Sequence, residues 1–195
     1  MQIAQWAALG GGRFFPSREA PPPSAPEAQP IDGRTTPASA PQGRRAFLVV
    51  VDDSPEMTAA ARFAARRAAR SGGRVALLSV VEPVDGGHWM FVGNLMAEEA
   101  REDAERRLQQ VAATVHACSG ERPELIVREG SLKEQLFKLI EEDDEISILV
   151  LGVAATGEGP GPLVQSLTGK NAGKLRIPVT IVPGDLSDAE LEALT

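Results

Sequence analysis

Gly152, Gly157, Gly159 and Gly161, with Ser166 behind them, are the residues of this chain best suited to doing chemistry. They lie in LVLGVAATGEGPGPLVQSLTGKNAGKLRIPVTIVP, residues 149–183, between an apolar run that stops at Gly152 and a helical pattern that opens near Leu163. Glycine leaves backbone N–H groups bare, and a loop of such groups ahead of a helix is a cradle for an anion such as a phosphate. Pro160 and Pro162 work against this, because each removes a donor from the same loop. A second group, Asp52, Asp53 and Ser54, closes the apolar run FLVVV. Set beside the glycine loop, this acidic strand end outlines a crevice of nucleotide shape.

Other chemistries fit poorly. A Walker-type phosphate loop needs G-x4-G-K-(S/T), but here Val164 stands where the first glycine belongs and Asn171 where the hydroxyl belongs. His88 and His116 are the two histidines, and with Cys118 they match no common metal-ligand spacing. No histidine accompanies a serine or cysteine nucleophile, and Asp52 and Asp53 alternate sides of their strand, which argues against an acid–base pair. Binding is favoured over catalysis, with a weak ATPase as the most an enzymatic reading allows. Trp89, Met90 and Phe91 form an aromatic cluster that reads as a cover over the core or, alternatively, as a patch for a protein partner.

The elements that would hold these residues alternate in type. Phe47–Val51 is a β-branched run suited to a strand buried on both faces. Ser54 is expected to cap a helix that opens with Pro55 and ends at Ser71-Gly72-Gly73. Val75–Val81 reads as a second strand. A glycine-containing loop over 84–95 precedes a long helix over 96–116, whose buried stripe is Ala100, Ala104, Leu108, Val111 and Val115. Leu125–Arg128 is a third strand. Ser131 with Glu134 predicts a capping box on a helix through Glu142, followed by a solvated acidic run, 141–145. Ile146–Leu151, a helix over 163–175 and Val179–Val182 complete the series, and Ser187 with Glu190 signals a short C-terminal helix acting as a latch. Strands alternating with helices specify an α/β fold with a parallel sheet covered on both faces. Ligands of such sheets bind beyond the carboxyl ends of the strands, where strand order reverses.

At 195 residues the chain has room for one domain and a tail. Residues 1–44 hold eight of the 15 prolines and no sustained apolar period, so they are expected to be a disordered extension. The domain should span 45–184 and the last helix 185–195. A net charge of −7 speaks against nucleic acid, and Arg62, Arg66, Arg67 and Arg70 fit the solvated side of one helix. One cysteine cannot form an internal disulfide, no run is long and apolar enough to span a membrane, and the N-terminus lacks a basic signal start. These traits point to the cytoplasm.

Three stretches, VVVDDSPEMTAAARFAARRA, LLSVVEP and the 149–183 segment, resemble the universal stress protein family over residues 45–184. The doubled Gly-Pro loop is similar to an alphaproteobacterial-type branch. The resemblance implies an open five-stranded parallel sheet of order 3-2-1-4-5, and a homodimer formed along the Val179–Val182 edge strand. One subgroup of the family binds ATP through G-x2-G-x9-G-(S/T). Aligned without gaps, which also superposes Pro178, this motif falls on Gly152, Ala155, Gln165 and Ser166. Aligned on the later glycines it falls on Thr156, Gly159, Gly169 and Lys170. Either way it is damaged, although Gly157, Gly159 and Gly161 could rebuild an anion nest in another register. By the same resemblance Asp52 would contact adenine or ribose and Val80 or Val81 would flank the base, while Asp53 caps the next helix. The expectation is a stress-response protein acting through homodimerisation and partner contact, its nucleotide site degenerate. The alternative is a switch in which ATP, with magnesium, orders the Gly152–Pro162 loop.

Overall fold

The computed structural model describes residues 44–83, 90–155, 159–169 and 172–195, with the side chains of 90–95 and 172 excepted. Five strands, β1 (Ala46–Val50), β2 (Arg74–Val81), β3 (Glu124–Glu129), β4 (Ile146–Val153) and β5 (Val179–Pro183), form one parallel sheet. Their order is β3-β2-β1-β4-β5, as the resemblance implied. The helices are α1 (Met57–Ser71), α2 (Met90–Ser119), α3 (Leu132–Glu142), α4 (Pro162–Thr168) and α5 (Asp188–Leu194).

β1 shows why its residues make a central strand. Phe47, Val49 and Val51 point into the core beneath α1 and α2, while Ala46, Leu48 and Val50 point into the core on the side of α3 and α4. A period of two with both sets apolar leaves neither face for water. α1 packs closely on β1 and β4 because its buried face is built of Ala59, Ala60, Ala61, Ala64, Ala65 and Ala68 behind Met57. Gly72 in the left-handed conformation (φ 68°) ends it, as the glycine stop predicted.

Several local expectations are corrected. Ser54 does not cap α1: the helix starts at Met57 behind Glu56, without a side-chain cap, and Ser54, two residues before that N-cap position, donates its hydroxyl to Asp52. α2 takes in residues 90–95, which were read as loop; of that loop, 84–89, with His88 and Trp89, lie outside the described residues. Ser131 occupies the N-cap position of α3, but its side chain makes no capping bond. α4 ends at Thr168 rather than near Leu175, with Gly169 leaving the helix at φ −93°, ψ −123° and a 3-10 turn following at Ala172–Lys174. The acidic run after α3 is exposed at Glu141, Glu142 and Asp144, as expected of a solvated exit, and it is also a fastened corner. Arg176 donates to the carbonyls of Ile140 and Asp143, and Arg74 pairs with Asp143 and Glu145. Arg176 thus satisfies carbonyls at the end of α3 that have no partner within the helix.

The capping box at Ser187 and Glu190 forms as read. It starts α5, whose Leu191 is fully buried in the core on the α1 side. The arginine row of α1, taken as a solvated face, meets α5. Arg62 and Arg66 pair with Asp188, Arg66 and Arg70 with Glu192, and Arg67 donates to the Thr195 backbone oxygen.

Candidate functional site

Strand order reverses between β1 and β4: the chain leaves β1 toward β2 on one side and returns through β4 on the other. A cleft of about 90 Å³ opens at the carboxyl ends of these two strands, lined in part by Val50, Asp52, Glu56, Gly152, Pro162 and Leu163. Its floor is the buried ends of the strands, Val50 and Leu151, and its far wall is the start of α4.

Asp52 reaches the cleft in a fixed pose. One carboxylate oxygen accepts from the Ser54 backbone N–H at 3.0 Å and from the Ser54 hydroxyl at 2.6 Å. This is an Asx turn, which steers the chain out of β1 toward α1. Asp53 does not cap α1 as predicted. It points the other way, to an ion pair with Arg107 of α2 at 2.7 Å. That pair borders a second, wider and more polar groove of about 420 Å³, whose walls include Asp52, Asp103, Arg106 and Gln110.

Gly152 has a packing reason that the sequence did not reveal. A Cβ there would lie 2.5 Å from the Glu56 carbonyl oxygen and 3.0 Å from the Met57 nitrogen. Gly184 is similar, since its Cβ would lie 2.6 Å from Glu56 Cβ. Two glycines, one on β4 and one just beyond β5, therefore let the first turn of α1 sit against the sheet and close one side of the cleft.

Of the other candidates, Gly159 is exposed, with φ 79°, a conformation that suits glycine. Gly157 lies outside the described residues. Ser166 is half-buried on α4 and is not among the residues that line the cleft. Val81 is likewise absent from the lining; it is half-buried at the end of β2, and its carbonyl accepts from the Gly130 N–H. Val50 supplies the apolar floor instead, a residue the motif alignment could not indicate. Gln165 turns back on its own loop, its side-chain amide donating to the Pro160 carbonyl at 2.6 Å. Among the described residues no group of histidine, cysteine and carboxylate side chains could hold a metal ion, and no helix is long and apolar enough to cross a membrane.

A five-stranded parallel sheet of this order, with its crevice at the β1/β4 reversal, defines an open α/β protein of the kind that binds ligands beyond its strand ends. Residues 43–183 match the model of the universal stress protein family. A universal stress protein of Mycolicibacterium smegmatis is 31% identical over 148 residues, covering 71% of this chain and 48% of the relative, so the chain spans about half that protein's length. The universal stress protein UspA of Lactobacillus plantarum shares the fold with a TM-score of 0.60 at 20% identity, over 72% of this chain and 99% of the other. A universal stress protein solved in complex with cAMP shares it with a TM-score of 0.55 at 19% identity, over 71% and 96%. The chain belongs to the universal stress protein family.

Proposed function

We propose that this protein serves the stress response as a homodimer paired along β5 and acts through contact with a protein partner, its nucleotide crevice having degenerated. The observation that carries this reading is the Gln165 side chain. In the ungapped alignment it stands at the third glycine of the ATP-binding motif, and its bond to the Pro160 carbonyl closes the loop on itself. A phosphate would need bare backbone there, and the neighbouring Pro160 and Pro162 lack N–H groups. The described walls enclose about 90 Å³, against roughly 300 Å³ or more for ordinary small-molecule pockets. β5 supports the dimer: it pairs only with β4 in the described sheet, carries no charged side chain, and leaves Ile181 40% exposed. In this reading the domain is 45–184, the extension 1–44 and the last helix are appended to it, and the protein works in the cytoplasm.

Calorimetric titration of the full chain with ATP and magnesium tests the reading. The expected result is no binding at millimolar nucleotide, with Gln165→Gly gaining affinity by about tenfold, the effect of freeing roughly one phosphate-facing hydrogen bond. Micromolar binding by the unsubstituted chain, abolished by Asp52→Ala, would overturn it.

That second outcome is the switch reading, in which ATP with magnesium orders the Gly152–Pro162 loop and Asp52, Val81, Gly152, Gly157, Gly159 and Ser166 contact it. Asp52 and Gly152 lining one cleft favour it, as does the cAMP complex of a protein of the same fold.

A further inference from the structure

We infer that α5 is a displaceable occupant of a docking surface on α1, and that this surface takes an acidic amphipathic helix from a partner protein. On α1 the arginines at 62, 66, 67 and 70 fall on one side of the helix, spaced so that consecutive turns each present a guanidinium. α5 answers them with Asp188 and Glu192 on either side of the buried Leu191, an acid-x-x-Leu-acid pattern. The surface therefore combines an apolar socket with a basic rim, and the segment seated on it shows which chemistry fits.

Two features make the occupant exchangeable. Seven residues are too few for a helix to persist alone, so α5 exists only while docked. Beyond the buried Leu191 and Thr195 and the bond from Arg67 to the Thr195 backbone oxygen, its hold on α1 is ionic, with both acids well exposed, which makes that part weak and sensitive to salt. The fit is also incomplete. Arg66 Nη1 is buried and has no hydrogen-bond partner among the described residues, so α5 supplies one acceptor fewer than the surface can use. A partner helix with the same pattern and one more acceptor would satisfy it. Charge complementarity selects an acidic helix, since a basic or neutral one would leave Arg62, Arg66 and Arg70 without the counter-charges that α5 gives them.

The test uses the full chain. Asp188→Lys with Glu192→Lys sets like charges against the arginine row and should release α5. A fluorescein-labelled peptide of residues 183–195 serves as the probe. It is expected to bind this variant about tenfold more tightly than the unsubstituted chain, where the tethered α5 competes at high effective concentration. Raising salt should weaken that binding, and adding Arg66→Ala should abolish the gain. Equal binding to both chains, or none to the variant although amide exchange shows α5 released, would overturn the inference. If the variant does not fold, exchange in the unsubstituted chain decides. Amides of 188–194 should exchange about a hundredfold faster than those of β1 and faster still in high salt, whereas protection equal to β1 would overturn displaceability.

Discussion

The two edges of the sheet are built on opposite principles. β3 carries Glu124, Arg128 and Glu129, and each is held in an ion pair, with Arg74, Glu142 and Arg101 respectively. β5 carries valine, threonine, isoleucine, valine and proline, with Ile181 turned to solvent. Charged residues on an edge strand deter pairing with another chain, whereas an apolar edge invites it. One guarded edge and one open edge allow a single isologous contact, which gives a closed dimer, whereas two open edges would give a growing ribbon.

The comparison would fail if β5 were open only because it is poorly anchored. Gly184→Ala tests this, since its Cβ would collide with Glu56 just where β5 leaves the sheet. Overpacking of this kind is expected to cost about 3 kcal/mol in urea unfolding if β5 is firmly held. A cost near zero would mean that the strand shifts freely.

On the guarded side, Arg74→Ala removes the hub that joins the start of β2 to Glu124, Asp143 and Glu145. Burial disfavours the Arg74 charge, but these carboxylates outweigh it and hold its pKa above the usual arginine value. The expected loss is about 2 kcal/mol, below that for a fully buried pair because the carboxylates stay partly wet. The sedimentation mass should not change.

Replacing Arg128 and Glu129 together by valine should sharpen the contrast by opening the second edge. Stability should change by about 1 kcal/mol, because Glu129 and Glu142 are exposed although Arg128 is partly buried, while light scattering should reveal assemblies larger than a dimer that grow with concentration. An unchanged mass would mean that α2, not charge, guards β3.

The smallest effect concerns α5, which follows β5. A hydrogen bond from Arg66, then the charge of Arg62, holds the Asp188 carboxyl below the usual range, and bonds from Ser187 do the same for Glu190. A carboxylate with a lowered folded pKa contributes fully above its unfolded pKa, about 4, and loses that contribution as pH falls through the folded value. Docking of α5 should therefore be constant from neutral pH down to about 5 and weaken below about 4, read as faster amide exchange at 188–194. Docking that strengthened on acidification would contradict these pairs.

Much of the architecture was legible in the sequence because β1 is apolar throughout and β2 and β4 nearly so, each with apolar residues at successive positions, and that pattern suits strands covered on both faces. The latch was legible too, since a capping box is a local signal contained in Ser187 and Glu190. What escaped depends on neighbours distant in sequence. The Arg62–Arg70 row looks like any solvated helix face until α5 is laid against it. Gly152 reads as a phosphate glycine until Glu56 is seen above it. Asp52 and Asp53 are adjacent carboxylates just beyond β1 with different partners: Ser54 takes the first in a local Asx turn, but nothing local says that Arg107, far along the chain, takes the second. The cleft was located correctly from topology, while its lining was only half named, because Val50, Glu56 and Leu163 enter it through packing and not through any motif.

Sedimentation equilibrium of the full chain at micromolar concentration, beside Ile181→Lys, tests the β5 dimer most directly. The expected result is twice the 20.6 kDa chain mass for the unsubstituted protein and a single chain for the variant, since a lysine buried without a partner should weaken the contact by about a hundredfold or more. A monomer at the same concentration, or a dimer that survives the lysine, would contradict it.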